Sequence, residues 1–169
     1  MAVKIKSEPM SRKVLTCLGC IAVPLVVGGL SALITSNAMV QFGQFNQPPL
    51  SPPAWLFPVA WTILYMLMGF ASFMILKSRP VSAEGQTLRK VALVIYGVQL
   101  VFNFFWSIFF FYLKMHVFAF GWLIVMWAMI IALILVSRRI SKTAMICLIP
   151  YAAWTTFAAY LNLMIAILN

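Results

Sequence analysis

Residues 117–136 read VFAFGWLIVMWAMIIALILV, twenty consecutive residues without a charged side chain. A helix of about 20 residues crosses the ~30 Å hydrocarbon core of a bilayer, so this stretch is long enough to span a membrane. Four further uncharged runs share its character, at 14–40, 54–76, 91–113 and 143–168. None of them alternates polar and apolar residues as the strands of a membrane barrel do. The sequence therefore predicts an all-α membrane protein, a single bundle of five transmembrane helices.

The composition supports this class of protein and excludes most others. Of the 169 residues, 64% are hydrophobic and 8% are charged, whereas a soluble domain has about 25% charged residues. So few polar side chains cannot cover the surface of a soluble enzyme, and a disordered or fibrous chain has a different composition. The linkers between the runs are short, at 41–53, 77–90, 114–116 and 137–142. We therefore expect one transmembrane domain at 14–168, preceded by a basic tail at 1–13.

The basic residues predict how the bundle is oriented. The net charge is +10, and eleven of the twelve Lys and Arg residues fall in the N-terminal tail, the second linker and the fourth linker. Lys114 alone falls in the third linker. The positive-inside rule then places the N-terminus in the cytoplasm and the C-terminus outside. Anionic lipid headgroups are the natural partners of these clusters, and we expect no nucleic-acid binding because no basic stripe remains.

The residue types that conventional catalysis needs are scarce in this chain. There is one histidine, His116, and the two carboxylates, Glu8 and Glu84, lie in the tail and in a linker. No nucleophile, base and orienting group can be assembled from them, and no metal site can be either. Cys17 and Cys20 have C-x-x-C spacing, but without further ligands they are better explained as small packing residues. We therefore expect no catalytic residue, no metal and no obligatory cofactor.

Neutral polar and aromatic side chains recur at helical spacing on three of the predicted helices. They are Pro58, Trp61, Tyr65 and Gly69 on the second, Tyr96, Gln99, Asn103, Trp106 and Ser107 on the third, and Tyr151, Trp154, Thr155, Ala158 and Asn162 on the fifth. Residues three and four apart share one face of a helix, and an amide that faced lipid would leave its donors unpaired. We therefore expect these faces to point into the bundle. Two interpretations stay open: polar contacts that hold the helices together, or a ring-lined cavity for a flat apolar ligand.

Prolines mark the first linker and three of the helices. Residues 47–53 read QPPLSPP, a stiff segment that leads into the second helix, where proline is tolerated in the first turn. Pro24, Pro58 and Pro150 are expected to kink the first, second and fifth helices. A kink spreads helices apart and favours a cavity, which the stiff linker would then cover.

At these residues the sequence resembles the TspO/translocator protein family, the tryptophan-rich sensory proteins and peripheral benzodiazepine receptors. The matching segments are PPLSPPAWLFPVAWTILYMLMGFAS at 48–72, YGVQLVFNFFWSIFF at 96–110 and PYAAWTTFAAYLN at 150–162. The motif W-x-F-x-x-x-W-x-x-L-Y, from Trp55 to Tyr65, is specific for that family. The resemblance implies a five-helix bundle, often a homodimer, with a pocket beneath the first linker that binds porphyrins and synthetic ligands, and cholesterol in animals. The pocket positions that it implies here are Trp61, Tyr65, Asn103, Trp106, Trp154 and Ala158.

Three positions depart from the family pattern. Where relatives commonly have Trp-Tyr in the first linker, this chain has Gln41 and Phe42, so a phenol is lost and Phe42 is the aromatic candidate that remains. Trp106 stands where some relatives have Phe, so the implied pocket keeps an aromatic side chain in its wall. No Lys or Arg follows Tyr160, so the weak cholesterol consensus is incomplete. This argues against dedicated cholesterol binding and for a bacterial-type protein of the cell membrane.

The resemblance and the residues together predict a membrane receptor that binds tetrapyrroles such as protoporphyrin IX and similar flat apolar molecules, in stress or tetrapyrrole regulation or in transport. Porphyrin is expected as a ligand and not as a cofactor. One alternative is an enzyme that degrades porphyrin with light and oxygen, in which Trp61 and Trp154 act as redox partners. Another is a scaffold or dimer without a ligand, packed through the small-residue ridge of Gly28, Ala32 and Ser36 on the first helix.

Overall fold

The structure is a computed structural model that describes residues 9–169, apart from the side chain of Met39. Residues 1–8 of the predicted basic tail lie outside the described residues. The helices are α1 (Met10–Ile34), α2 (Ala38–Gln44), α3 (Leu56–Lys77), α4 (Ala83–Ser107), α5 (His116–Arg138) and α6 (Lys142–Leu168). All but α2 are long and apolar enough to cross a membrane, and the described part of the chain contains no strand. The predicted bundle of five transmembrane helices is confirmed.

The first predicted helix, 14–40, is two helices in the structure. α1 ends at Ile34, and Thr35 leaves helical geometry at φ −102° and ψ 39°. The Thr35 hydroxyl donates to the Ser31 carbonyl at 2.9 Å, so the threonine side chain bonds to the turn that it terminates. The chain then re-enters a short helix, α2, at Ala38.

The third predicted helix, 91–113, starts earlier than the apolar run does. α4 begins at Ala83, where the Ser82 hydroxyl accepts from Gly85 N at 3.1 Å. Such a cap stabilises a helix start by about 1 kcal/mol. The polar turns between Ala83 and Lys90 therefore extend the helix beyond its apolar segment. Ser141 caps α6 in the same way, accepting from Ala144 N at 3.3 Å.

The five long helices form a ring in the order α1, α3, α6, α5, α4, with extensive packing between each helix and the next one in this order. α4 meets α1 and α3 much more sparsely, so the ring is loosest where it closes. α1 and α3 cross closely at Gly69, where a Cβ would lie 2.4 Å from Ile21 Cα and 2.7 Å from the Cys20 carbonyl oxygen. Only a residue without a side chain permits this approach.

A π-turn at Ile108–Tyr112 continues α4 and replaces the end of the predicted helix. Its wider hydrogen bond runs from Leu113 N to the Ile108 carbonyl at 2.9 Å. The consecutive residues Phe110 and Phe111 in this turn are both buried.

Residues 35–55, which include α2, form a cover over one end of the ring that we call the α2 lid. The Phe42 ring packs edge-on against Phe57 of α3, with centroids 4.8 Å apart. Asn46 bonds to the end of α6, from its backbone N to Asn169 Oδ1 at 2.9 Å and from its side chain to the Leu168 carbonyl at 3.1 Å. A further bond runs from the Tyr160 hydroxyl to the Pro49 carbonyl at 2.8 Å. The lid is therefore fastened to α6 at two points.

Candidate ligand-binding site

A cavity of about 210 Å³ lies between α1, α3 and α4, beneath the α2 lid. Its residues are Gly28, Ser31, Ala32, Thr35, Ser36, Ala38, Phe57, Pro58, Trp61, Tyr65, Asn103, Trp106, Ser107 and Phe111. The loose closure of the helix ring on this side explains why the space is not filled. The lining has no charged side chain, so the cavity suits a neutral or largely apolar molecule.

Trp61 and Trp106 form the aromatic wall of the cavity. Their ring centroids are 6.1 Å apart and their planes are inclined by 38°. The Trp106 indole N–H donates to Asn162 Oδ1 at 3.1 Å, and Asn162 Nδ2 donates to the His116 carbonyl at 2.8 Å. Because its one polar atom is engaged by α6, the Trp106 ring can offer its apolar surface to the cavity.

Tyr65 and Asn103 form the polar part of the cavity. The Tyr65 hydroxyl donates to Asn103 Oδ1 at 2.6 Å, and Asn103 Nδ2 donates to the Tyr151 hydroxyl at 3.1 Å. Tyr151 in turn donates to Gln99 Oε1 at 2.8 Å. These bonds join α3, α4 and α6. Asn103 therefore holds helices together and also lines the space between them, and its role in binding a ligand stays a prediction.

A second polar contact bridges the loose junction of α1 and α4. The hydroxyls of Ser31 and Ser107 are hydrogen-bonded to each other, and Ser107 also bonds to the Phe104 carbonyl at 3.0 Å. Both serines line the cavity. They give it a second group of donors and acceptors.

The small-residue ridge of α1 faces this cavity. A Cβ on Gly28 would lie 2.1 Å from Cε2 of Tyr65, so the glycine makes room for the phenol ring. Ala32 and Ser36 line the cavity and are also exposed, which identifies this side as its opening. A homodimer packed through the ridge stays a prediction, and it would close that opening.

Of the predicted ligand-binding residues, Trp61, Tyr65, Asn103 and Trp106 meet in the cavity. Phe42 is buried and reaches the site indirectly, through its contact with the lining residue Phe57. Trp154 and Ala158 do not line it. Trp154 lies in a separate groove between α3 and α6, with Ala60, Leu67, Pro150 and Phe157 among its neighbours there. Ala158 is buried in the helix packing.

The position of Trp154 follows from the geometry of α6. Tyr151, Thr155, Ala158 and Asn162 are all buried and define the inward face. At about 100° per residue, Trp154 lies about 60° to one side of Tyr151. The indole is therefore only partly buried, and its ring touches Phe57 with centroids 6.0 Å apart. Phe57 separates it from the cavity.

Several lining residues were not predicted from the sequence. Phe57 stands one turn before Trp61, so extending that stripe backwards would have found it. Ser31 and Thr35 are four residues apart, so the same helical spacing of polar residues could have identified them. Phe111 had no such signal, because the π-turn changes the spacing on which the stripes rest.

Comparison with known proteins agrees with this architecture. The model of the TspO/MBR family matches residues 20–168. A "Tryptophan-rich protein TspO" of Chlorobaculum tepidum is 34% identical over 95% of this chain and 99% of its own. A "Tryptophan-rich sensory protein" of Cereibacter sphaeroides is 34% identical over 72% of each chain, and the "Translocator protein" of Ovis aries is 33% identical over 72% of this chain and 70% of its own. The chain is an integral membrane protein that belongs to the TspO/MBR family.

Proposed function

We propose that the protein is a membrane receptor for a flat, largely apolar ligand of the tetrapyrrole class, bound in the cavity beneath the α2 lid. The observation that carries this proposal is the pairing of the Trp61 and Trp106 rings with the polar groups of Tyr65 and Asn103 in one uncharged cavity. Ring walls with a few placed polar groups are typical of sites for such ligands. The names of the relatives point to sensing or translocation by those proteins, and we extend the same roles to this chain.

The size of the cavity sets a condition on binding. At about 210 Å³ it is smaller than the roughly 300–1,000 Å³ of typical ligand sites. A macrocycle therefore needs the cavity to widen. The exposed lining residues Ala32 and Ser36 mark the side on which it can do so, because α1 packs only sparsely against α4. Each indole that packs on the ligand then contributes about 0.5–1.5 kcal/mol beyond the burial of its area.

Titration with protoporphyrin IX in detergent tests the proposal. Tryptophan emission should be quenched saturably, and Trp61→Ala should weaken binding by roughly tenfold, which corresponds to about 1.4 kcal/mol. Trp154→Ala is the matched control, because this indole lies in the groove between α3 and α6. Weakening by Trp154→Ala alone would move the ligand to that groove. Unsaturable quenching of the wild type would reject tetrapyrrole binding.

A second candidate function is photochemical degradation of the bound porphyrin. The observation in its favour is that Trp61 contacts three further oxidisable rings, with centroid distances of 5.5 Å to Tyr65, 6.1 Å to Trp106 and 6.2 Å to Tyr151. Such a cluster can supply electrons to a photoexcited ring while oxygen acts as the oxidant. Trp154, the other proposed redox partner, would act from outside the cavity.

Illumination in air decides between binding and degradation. The porphyrin absorbance of the complex should fall faster than that of free porphyrin in empty micelles, and Trp61→Phe should slow the loss. Samples kept in the dark or without oxygen provide the baseline. Equal rates for the complex and for empty micelles would show that the protein only binds.

A further inference from the structure

The half of α1 that lines the cavity is less supported than the half before it. Near Ile21, the α1 backbone touches α3 at Gly69. Beyond Gly28, α1 forms one wall of the cavity, and Ala32 and Ser36 of that wall are exposed. The helix is therefore anchored at its crossing with α3, whereas the wall lies about ten residues, or roughly 15 Å, further along.

Pro24 lies between these two halves of α1. Proline has no N–H, so it gives no helical hydrogen bond to the carbonyl of Cys20, four residues earlier. Sharp bends in helices concentrate at such positions. Thr35 follows the end of the helix with non-helical geometry. Residues 25–34, which we call the α1 gate, therefore have a joint at each end and can move separately from the α2 lid.

A hydrogen bond between side chains holds the α1 gate to α4 at the cavity. The hydroxyls of Ser31 and Ser107 form it, and α1 packs only sparsely against α4. Ser107 also donates to the Phe104 carbonyl of its own helix at 3.0 Å, and a serine within a helix can bond the carbonyl one turn earlier. Breaking the bond between the two helices therefore leaves neither hydroxyl without a partner.

The opening beside the α1 gate faces lipid. Leu33 of α1 and Phe105 of α4, each next in sequence to a lining residue, are apolar and are 75% and 40% exposed. The end of the cavity beneath the α2 lid is closed more firmly, because Asn46 bonds to the end of α6 and Tyr160 bonds to the Pro49 carbonyl. A molecule dissolved in the bilayer therefore meets fewer bonds at the gate than at the lid.

We propose that the α1 gate admits the ligand, which passes from the bilayer into the cavity between α1 and α4 while the α2 lid stays closed. The gate swings about Pro24, and the bond between Ser31 and Ser107 is its latch. The nature of the ligand rests on the proposed function, whereas the motion of the gate does not. A homodimer packed through Gly28, Ala32 and Ser36 would block this route and is incompatible with it.

Reversible crosslinks distinguish entry through the gate from entry past the lid. In a cysteine-free background, a disulfide between Ser31→Cys and Ser107→Cys holds the gate closed. The matched control is a short bismethanethiosulfonate bridge between Asn46→Cys and Asn169→Cys, which fastens the lid to α6. Stopped-flow quenching of tryptophan emission measures the association rate of protoporphyrin IX.

We expect the gate crosslink to slow association by about tenfold or more and reductant to restore the rate, because binding that needs a conformational change depends on that change. The lid crosslink should leave the rate nearly unchanged. An unchanged rate with the gate crosslinked, or a lid crosslink that slows association as much as the gate crosslink does, would overturn the proposal. A reduced protein that binds no protoporphyrin would reject the proposed function instead.

Spin labels measure the motion of the gate without any ligand. One label is placed at Val125→Cys of α5, and the second at Ala32→Cys in the gate or at Val23→Cys before the proline; all three residues are exposed. We expect a broader distribution of distances from Ala32 than from Val23. Pro24→Ala should narrow it, because the Cys20 carbonyl regains its hydrogen bond. A distribution from Ala32 no broader than that from Val23 would overturn the proposal, even if the gate crosslink slows association.

Discussion

Gly28 and Gly29 are adjacent in α1, yet only the first of them touches another helix. A Cβ on Gly28 would meet three atoms of the Tyr65 ring within 2.8 Å, whereas a Cβ on Gly29 would have nothing within 4 Å. The Tyr65 ring has little freedom to retreat, because its hydroxyl is bonded to Asn103 and it is buried among other rings. The Tyr65 phenol can therefore occupy its place in the cavity only because Gly28 has no side chain.

We expect Gly28→Ala to weaken protoporphyrin binding by about tenfold, or about 1.4 kcal/mol. The added methyl must displace the Tyr65 ring, which lengthens its bond to Asn103 and takes up part of the cavity. Fluorescence titration measures the affinity. Gly29→Ala is the control and should bind within about twofold of the wild type. Equal weakening by both changes would show that contact with Tyr65 is not the cause.

At the scale of the helix, Gly69 allows α1 and α3 to cross closely, just as Gly28 makes room for the Tyr65 ring. Its missing side chain lets the two backbones touch, and the atoms that a Cβ would meet belong to the main chain of Cys20 and Ile21. Main-chain atoms cannot rotate away as a side chain can. A substitution at Gly69 must therefore move a whole helix.

Gly69→Ala should lower the thermal midpoint strongly, because separating α1 from α3 costs at least the 1–3 kcal/mol typical of overpacking. Gly97→Ala is the matched change within α4, where a Cβ would meet nothing within 4 Å. It should leave the midpoint unchanged or raise it, since Ala favours a helix by up to about 1 kcal/mol over Gly. A thermal melt in detergent compares the two. If both variants melt alike, the crossing tolerates a wider separation than the structure indicates.

For the molecule as a whole, the α2 lid joins parts of the chain that are far apart in sequence. Asn46 and Asn169 are 123 residues apart, and the bond between Tyr160 and Pro49 spans 111 residues. Phe45 also packs on His116, with ring centroids 4.9 Å apart. The lid is thus secured by the first turn of α5 and the last turns of α6.

Removing one of these fastenings should loosen the lid without disturbing the bundle. We expect Tyr160→Phe to raise hydrogen–deuterium exchange of the amides at 38–45, because it deletes a bond worth about 0.5–1.5 kcal/mol. Exchange of the α5 amides should not change. Tyr112→Phe removes the hydroxyl of an exposed tyrosine that has no hydrogen bond to the described part of the lid, and it serves as the control. Unchanged exchange at 38–45 would show that Asn46 and the phenylalanine contacts suffice to hold the lid.

The bundle has one basic end, and its orientation stays a prediction of the positive-inside rule. In a cysteine-free background, Gln44→Cys reports on the lid and Gln86→Cys on the start of α4. Both residues are exposed. A membrane-impermeant maleimide should label Gln44→Cys in intact cells and Gln86→Cys only after lysis. The reverse pattern would mean that the N-terminus is outside.

Hydropathy and periodicity predicted most of this molecule, and the exceptions have physical causes. The five spans follow from uncharged length, and Trp61, Tyr65, Asn103 and Trp106 meet because period-3.6 spacing fixes their faces. Trp154 shares the spacing of α6, yet a small rotation of that helix turns its large ring into the groove. Spacing alone cannot distinguish a residue at the edge of the buried face of a helix from one at its centre. The end of α1 at Thr35 could not be predicted, because no glycine or proline stands at that position.

The π-turn after Trp106 affects how this fold tolerates insertions and deletions. It holds one residue more than a regular helix needs for the same stretch, and in an α-helix such a residue would rotate everything beyond it by about 100°. Here the widened turn absorbs it, so Gln99, Asn103 and Trp106 keep their faces on one side and His116 keeps its place on the other. A chain that lost one codon between Ser107 and Tyr112 would simply close this turn into regular helix. Asn103 and Trp106 would then keep their faces, whereas Phe111, which lies within the turn, would lose its present place in the cavity lining.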